Sequence, residues 1–195
     1  MRWRAPIVVA ILMMAASAAP ASAYTKFHSS LAFGLTRDRI DVEDGDSFDA
    51  NGLFGMYRGY FDNGILCRFS ISETHRRTTG TTDFGFGPLS GTVSDHFLRM
   101  EVSAGYLFRR KDVIRPFVHA GFARMSVEDV LAKVQLVRDD AMAPTYGAGV
   151  EVGKWHHAVY LDVNFDRRYK VDANFNLGAI RYTAREIQLG YLFSF

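Results

Sequence analysis

Six histidines are the side chains of this sequence best suited to proton transfer, because an unperturbed imidazole titrates between pH 5 and 8. They are His28, His75, His96, His119, His156 and His157. Ser94 and Asp95 precede His96 and complete the residue types of a hydrolytic triad. Those types are also common in polar loops, and a triad is defined by its geometry. His75 and His96 could approach each other near the outer ends of the third and fourth strands. We nevertheless expect His75, Ser94, Asp95 and His96 to be solvated loop residues, and we predict no catalytic residue.

Metal ligands and disulfides have little support in the sequence. Cys67 is the one cysteine among 195 residues, which excludes an internal disulfide and a cysteine-based zinc cage. His156 and His157 are adjacent, so in an extended segment their side chains point to opposite faces. The sequence predicts no metal site and no cofactor.

The N-terminal segment has the composition of an export signal. Arg2 and Arg4 precede an apolar run over 5–16, and Ala21-Ser22-Ala23 provides small residues for cleavage. The run is too short for a membrane-spanning helix, which needs about 20 apolar residues. We predict a cleaved signal peptide over 1–23 and one domain over 24–195.

The charge balance changes once the signal segment is removed. The whole chain has 23 Lys and Arg against 21 Asp and Glu, a net charge of +2. Arg2 and Arg4 account for this excess, so residues 24–195 carry equal numbers of basic and acidic side chains. This balance removes the argument for a nucleic-acid partner.

The rest of the chain alternates between apolar and polar residues with a period of two, which indicates β-strands. In the last segment Ile187, Leu189 and Tyr191 alternate with Gln188 and Gly190. Six segments show this alternation clearly. Two others, Phe48 to Tyr60 and Pro116 to Met125, show it less clearly. The sequence thus predicts eight strands.

Short and long connections alternate between these strands. The short ones are Asp62 to Gly64, Arg109 to Asp112 and Gly153 to His157. The long polar ones are about Asp41 to Ser47, Arg77 to Thr92, Asp129 to Ala143 and Tyr169 to Arg181. The segment Val127 to Val137 mixes apolar and charged residues, which favours a short helix. This sorting of loops is typical of an outer-membrane β-barrel, with short periplasmic turns and long external loops.

The polar faces carry glycines and ionisable groups of both signs. An eight-stranded barrel is just wide enough for side chains to fill its lumen, where opposite charges can pair. We therefore predict a lumen charge network. Its members are Arg68, Arg99, Glu101, Glu151 and Asp162. The alternative is the solvated polar face of a lipocalin-like or sandwich domain.

The C-terminus has the spacing polar-x-Gly-x-x-aromatic-x-aromatic. Gln188, Gly190, Phe193 and the terminal Phe195 supply it. This spacing resembles the β-signal by which the barrel-assembly machinery of Gram-negative bacteria recognises a last strand. The resemblance implies that these four residues form an assembly signal.

Three further stretches resemble the small OmpX/OmpA-like and opacity-type barrels of the porin superfamily. They are Arg115 to Gly121, Tyr146 to Glu151, and Leu189 to Phe193. The resemblance implies an all-β fold: an eight-stranded, antiparallel, up-and-down transmembrane barrel in the bacterial outer membrane. It also implies a non-enzymatic envelope role or surface adhesion through the external loops.

Partners follow from the same resemblance. We expect outer-membrane lipid and lipopolysaccharide, the barrel-assembly machinery and, as one candidate, a host surface molecule; we expect a monomer. A basic cluster near the fourth long connection offers contacts to lipopolysaccharide phosphates. Its members are Arg167, Arg168, Lys170, Arg181 and Arg185. The alternative is a solvated external rim.

Two alternative functions stay open. Some barrels of this size hydrolyse lipid A, but the late His-x-Ser-Asn stretch of the PagL type does not occur in this sequence. A small channel is the second alternative.

Overall fold

The protein is a closed β-barrel. The computed structural model describes residues 26–43, 47–83, 88–109, 111–131, 134–154, 156–172 and 179–195. The strands are β1 (Phe27–Val42), β2 (Ser47–Phe61), β3 (Ile65–Asp83), β4 (Pro88–Leu107), β5 (Ile114–Leu131), β6 (Val134–Lys154), β7 (His157–Asp172) and β8 (Ala179–Ser194). Each pairs antiparallel with the next, and β8 closes on β1. The predicted eight-stranded up-and-down barrel is confirmed. The signal peptide expected over 1–23 lies outside the described residues.

The described residues contain no helix that is both long and apolar enough to cross a membrane.

The three short connections lie at one end of the barrel, which we call the turn end. Between β2 and β3, Gly64 N donates to Phe61 O at 2.8 Å, and the Asn63 side chain accepts from Ile65 N at 3.0 Å. Gly64 has a φ of 93°, whereas Asn63 does not adopt a positive φ. The Asn-Gly pair thus forms the predicted tight turn with only its glycine in the left-handed region, where a side chain would be strained.

The opposite end, the loop end, differs from the sequence prediction. The long connection expected over Arg77 to Thr92 is mostly strand, because β3 continues to Asp83 and β4 begins at Pro88. The one expected over Asp129 to Ala143 is likewise almost wholly β5 and β6. Both predictions were wrong because these segments lack a regular alternation of apolar and polar residues in the sequence, although their backbone pairing continues.

The short helix expected over Val127 to Val137 is also wrong. Val127 pairs with Asp139 and Asp129 with Val137 across β5 and β6. The register shifts by one residue between Asp129 and Val130, and such a bulge disturbs the two-residue period in sequence.

The outward side chains near the turn end form an apolar belt. Phe33, Leu35 and Leu189 are 63%, 64% and 51% exposed, respectively. Aromatic rings at the turn end lie close together, with centroids 5.1 Å apart for the exposed Phe27 and the half-buried Phe61. A continuous band of exposed apolar side chains with aromatic residues at its edge is the surface that lipid requires.

Among the described residues, the pairing of β6 with β7 ends before the loop end of the barrel. Their pairing runs from Lys154 and His157 up to Thr145 and Asp166. Beyond that point the described residues of β6 continue to pair with β5, and those of β7 with β8 after a register shift between Asp166 and Tyr169. The loop-end half of the wall is therefore held by fewer strand pairs than the belt.

Candidate functional site

The lumen is filled by side chains in three layers. An apolar layer on the turn side comprises Ala32, Phe54, Met56, Tyr60, Leu66, Leu107, Phe117, Ala158, Tyr160 and Leu192. A second apolar layer on the loop side comprises Ile40, Ala50, Phe97, Ala123, Met125, Val127, Ala143, Tyr169, Tyr182 and Ala184. Charged residues lie mainly between them. The sequence did not indicate these apolar layers, because we assigned the polar face of each strand to the lumen, and apolar residues such as Leu66 and Leu192 occur among the polar residues of those faces.

Arg99 is the centre of the charged layer. Its guanidinium contacts Asp166 at 2.7 Å, Glu186 at 2.7 Å and Glu101 at 2.8 Å. It also donates to Thr145 at 3.1 Å. Because a guanidinium has five donors in a fixed plane, one arginine can join carboxylates from three strands. Arg99 therefore connects β4, β7 and β8 inside the barrel.

Arg68 extends this layer from β3. Its Nη1 lies 2.5 Å from an Asp162 oxygen, and its Nε lies 3.4 Å from Glu101. His119 Nε2 is 2.8 Å from Arg68 Nη1 and 3.2 Å from Asp162. Glu101 thus contacts both arginines. Four of the five predicted network residues, Arg68, Arg99, Glu101 and Asp162, are brought together in one cluster, which we call the lumen charge cluster.

Glu151 lies outside this cluster. It contacts Arg58 and lies 3.2 Å from Arg115, close to the turn-side apolar layer. The grouping of Glu151 with Arg68 and Arg99 is therefore not what the structure shows. Arg58 was missed because the neighbouring lumen residues of β2 are apolar; its parity with Phe54 was the available signal.

A second group of charges lies on the outside of the barrel, above the apolar belt. We call these outward residues the collar. They are Arg37, Arg39, Asp41, Asp49, Glu73, His75, His96, Arg124, Glu128, Asp140, Lys170, Arg181 and Arg185. Several of them form solvent-exposed ion pairs, such as Arg37 with Asp49 at 2.6 Å and Arg124 with Asp140 at 2.7 Å.

Cations concentrate on β8, β1 and β7. Arg39 and Arg185 are directly opposite each other, with Asp41 3.5 Å from Arg39 and 3.3 Å from Arg185. Hydrogen bonding from Ser47, together with these two guanidiniums, lowers the pKa of Asp41 despite slight burial. Lys170 is directly opposite Arg181. Like charges in opposed positions destabilise a strand pair unless an anion lies near them, and Asp41 is the carboxylate that lies near both Arg39 and Arg185.

The predicted lipopolysaccharide contacts fall partly on this surface. Lys170 and Arg181 are exposed, and Arg181 also lies 3.4 Å from Glu43. The side chains of Arg167 and Arg168 are outside what the structure describes. Arg185, which the sequence analysis assigned to this cluster, belongs to the same surface. Arg39 belongs to it too but was not predicted, because only the strand register places it opposite Arg185.

The candidate hydrolytic residues do not converge. His75 and His96 are directly opposite on the outer face, and His96 Nε2 lies 2.7 Å from Glu73. Asp95 is buried and faces the lumen. A triad needs its acid to contact the histidine that it orients, and the wall of β4 separates Asp95 from His96.

The residues of the predicted assembly signal lie on both faces of β8. Gln188 is buried in the lumen, whereas Phe193 and Phe195 are exposed at the turn end with ring centroids 6.2 Å apart. Gly190 lies directly opposite Gly34, and a Cβ added to it would lie 2.5 Å from Phe33 O. Gly190 therefore permits the close approach of β8 to β1.

Comparison with known proteins shows which family this barrel matches and which solved structures resemble it. The family model described as "Outer membrane protein beta-barrel domain" matches residues 8–195. Ail from Yersinia pestis, solved with the heparin analogue sucrose octasulfate, is 17% identical with a TM-score of 0.57, covering 87% of this chain and 99% of Ail. No curated protein sequence matches significantly.

Two further solved barrels are similar. Neisserial surface protein A (NspA) is 12% identical with a TM-score of 0.60, covering 87% of this chain and 97% of that one. OprG from Pseudomonas aeruginosa is 9% identical with a TM-score of 0.60, covering 88% and 97%. At these identities the likeness concerns the fold alone.

Proposed function

The chain belongs to the outer membrane protein β-barrel domain family, and on this premise we propose that it is a non-enzymatic barrel whose collar cations on β1, β7 and β8 bind the phosphates of lipopolysaccharide. It is an integral protein of the bacterial outer membrane, so the loop end faces outward. The observation that carries the proposal is the direct opposition of Arg39 with Arg185 and of Lys170 with Arg181.

The position of these cations favours a membrane ligand. Arg185 lies one outward position above Ile187, and Arg39 two above Leu35; both apolar residues are exposed members of the belt. The guanidiniums are therefore at the height of the lipid headgroups. Arginine binds phosphate through paired, charge-assisted hydrogen bonds. An anion between the opposed cations would relieve their repulsion more fully than the shared Asp41 does.

The filled lumen supports an anchoring role. Arg99 is buried with its three carboxylate partners, and apolar layers lie on either side of them. A small channel would need a continuous polar path through these layers. The lumen is suited to holding the barrel rigid, while the collar makes the contacts.

Envelope attachment and host adhesion both remain candidate outcomes of this binding. Ail was solved with a sulfated sugar, and sulfates resemble phosphates in charge and geometry. For this chain we propose lipopolysaccharide as the ligand because the opposed cations lie next to the belt. A soluble sulfated sugar from a host surface is the competing occupant.

The test is to titrate lipopolysaccharide into lipid nanodiscs that contain the refolded barrel. We expect the double variant Arg39→Gln/Arg185→Gln to bind lipopolysaccharide more weakly than the unaltered protein, and the difference to shrink at high salt because salt screens exposed charges. Arg124→Gln is the matched control, since Arg124 is an exposed arginine on the other side of the barrel, paired with Asp140.

Three results would contradict the proposal. The first is equal affinity of the double variant and the Arg124→Gln control. The second is tighter binding of free sucrose octasulfate than of lipopolysaccharide, which would assign the surface to a soluble glycan. The third is evidence of another activity: either discrete conductance in planar bilayers, or altered lipid A acylation on overexpression that His75→Ala or His96→Ala abolishes. These would support the channel and the hydrolase, respectively.

A further inference from the structure

A row of metal-ligating residue types crosses the outer wall above the belt. Asn51 on β2 is directly opposite His75 on β3, and His75 is directly opposite His96 on β4. His96 is in turn directly opposite Glu128 on β5. Glu73 lies on the same face of β3, two residues before His75. Two imidazoles and nearby carboxylates thus share one patch of the collar.

The register sets the distances within this patch. Directly opposite residues on one face of an antiparallel pair have Cβ atoms about 4.5–5.5 Å apart. Two imidazole rings that start from such positions can direct one nitrogen each to a common point about 2.0–2.1 Å from both, the usual Zn–N distance. Glu73 already reaches this region, since its Oε1 lies 2.7 Å from His96 Nε2.

The side chains are able to reorganise. His96 is 46% and Glu73 61% exposed, and exposed side chains change rotamer within picoseconds to nanoseconds. As the described side chains stand, no three His, Cys, Asp or Glu form a group that could hold a metal ion. The hydrogen bond between His96 and Glu73 occupies the nitrogen that a metal would take. Turning the two rings toward each other exchanges this bond for metal coordination.

We propose that His75, His96 and Glu73 form a surface site for a divalent transition metal ion, and that the bound ion links β3 to β4 above the membrane. Two imidazoles and one carboxylate suit Zn²⁺, Cu²⁺ or Ni²⁺, whereas Mg²⁺ and Ca²⁺ prefer oxygen ligands alone. The sequence alone does not establish this site, because 20 residues separate the two histidines and only the strand register shows that they are directly opposite. The site does not depend on lipopolysaccharide binding.

The experiment uses the full barrel without an affinity tag, refolded in detergent micelles and titrated with Cu²⁺. Electron paramagnetic resonance should show hyperfine coupling to two imidazole nitrogens at one equivalent of metal. His75→Ala and His96→Ala should each remove one nitrogen. Since loss of an outer-shell partner already weakens metal affinity about 10–100-fold, loss of either ligand should weaken it at least about tenfold. Glu73→Gln should lower the affinity and keep both nitrogens.

The matched control is His156→Ala/His157→Ala, which removes the adjacent histidines at the turn end. It should bind Cu²⁺ as the unaltered protein does. Heat-modifiable migration on a gel verifies that each variant is folded. Failure to bind one equivalent of metal, loss of the two-nitrogen signal only in the control variant, or displacement of the metal by excess Mg²⁺ would each overturn the proposal.

Discussion

The lumen and the collar both contain ion pairs between an arginine and a carboxylate, but the pairs differ in their access to solvent. Arg99 lies 2.7 Å from Glu186, with side chains 1% and 0% exposed. Arg37 lies 2.6 Å from Asp49, with side chains 60% and 37% exposed. The distances are nearly equal, so contact geometry does not distinguish the two pairs. Solvent access does.

The difference shows what each pair contributes. Buried charges have lost their water, so each depends on its partners, and removing one partner leaves an uncompensated charge. Exposed charges keep their water and are screened by salt, so their pairing adds little to stability. We infer that the lumen pairs maintain the fold, while the collar charges are free to be exchanged for ligand contacts.

The largest expected effect is the loss of Arg99. Arg99→Leu leaves Glu101, Asp166 and Glu186 without their shared cation inside the barrel. By analogy with other broken buried pairs, the free energy of unfolding should fall by about 3–5 kcal/mol. Urea-induced unfolding in lipid vesicles measures this change. Arg124→Leu is the control, because it removes an exposed arginine from an ion pair on the same barrel; equal losses in the two variants would end the distinction between lumen and collar.

Deleting Phe195 tests the outer surface in a different way. Phe195 is 65% exposed, so its loss should change the unfolding free energy of the refolded barrel little. If it belongs to the assembly signal, the deletion should nevertheless reduce the level of protein in the outer membrane of cells. Quantitative blotting of membrane fractions provides the measurement. Undiminished levels would remove the assembly assignment.

A smaller effect is expected from Arg37→Ala. This change breaks the ion pair with Asp49, but the remaining carboxylate is accessible to water and keeps its hydration. The urea midpoint should stay within experimental error of that of the unaltered protein. A marked fall would mean that the collar, like the lumen, maintains the fold.

The smallest effect concerns pH. A hydrogen bond from Arg37 lowers the pKa of Asp49 below its usual value. A carboxyl group with a lowered folded pKa stabilises the fold above its unfolded pKa of about 3.9 and loses that contribution as the pH falls through its folded pKa. Titration of the Asp49 carboxyl by NMR should give a midpoint below that of an unfolded peptide. In Arg37→Ala the midpoint should rise toward the peptide value; an unchanged midpoint would show that Arg37 is not the cause.

The strands within the belt were predictable because lipid and lumen impose opposite chemistry on alternate residues. On β4 and β8 the predicted outward residues, such as Val102 and Leu189, are exposed to the outside. On β2 the rule gave no answer, because Phe54 and Met56 are buried in the turn-side layer while Leu53 faces out. An apolar lumen layer removes the contrast on which the prediction depends.

Partners across strands were harder to predict than faces. The sequence places Glu151 and Arg99 on lumen faces, but their contacts depend on the stagger of the strands around the barrel. Arg39 and Arg185 are 146 positions apart in the chain and meet only because β8 closes on β1. The opposition of His75 and His96 likewise depends on the exact length of the β3–β4 hairpin.

The closure of β8 on β1 also has a kinetic consequence. Seven of the eight strand pairings join neighbours in sequence, so each can form by extending a hairpin from its turn or loop. The eighth pairs Ser30 with Ser194, which is 164 positions further along the chain. The entropic cost of bringing β1 and β8 together is lowered only if the intervening strands are already ordered. We therefore expect β1–β8 pairing to be the last step of folding. The intermediate that precedes it should be an unclosed sheet with two free edges.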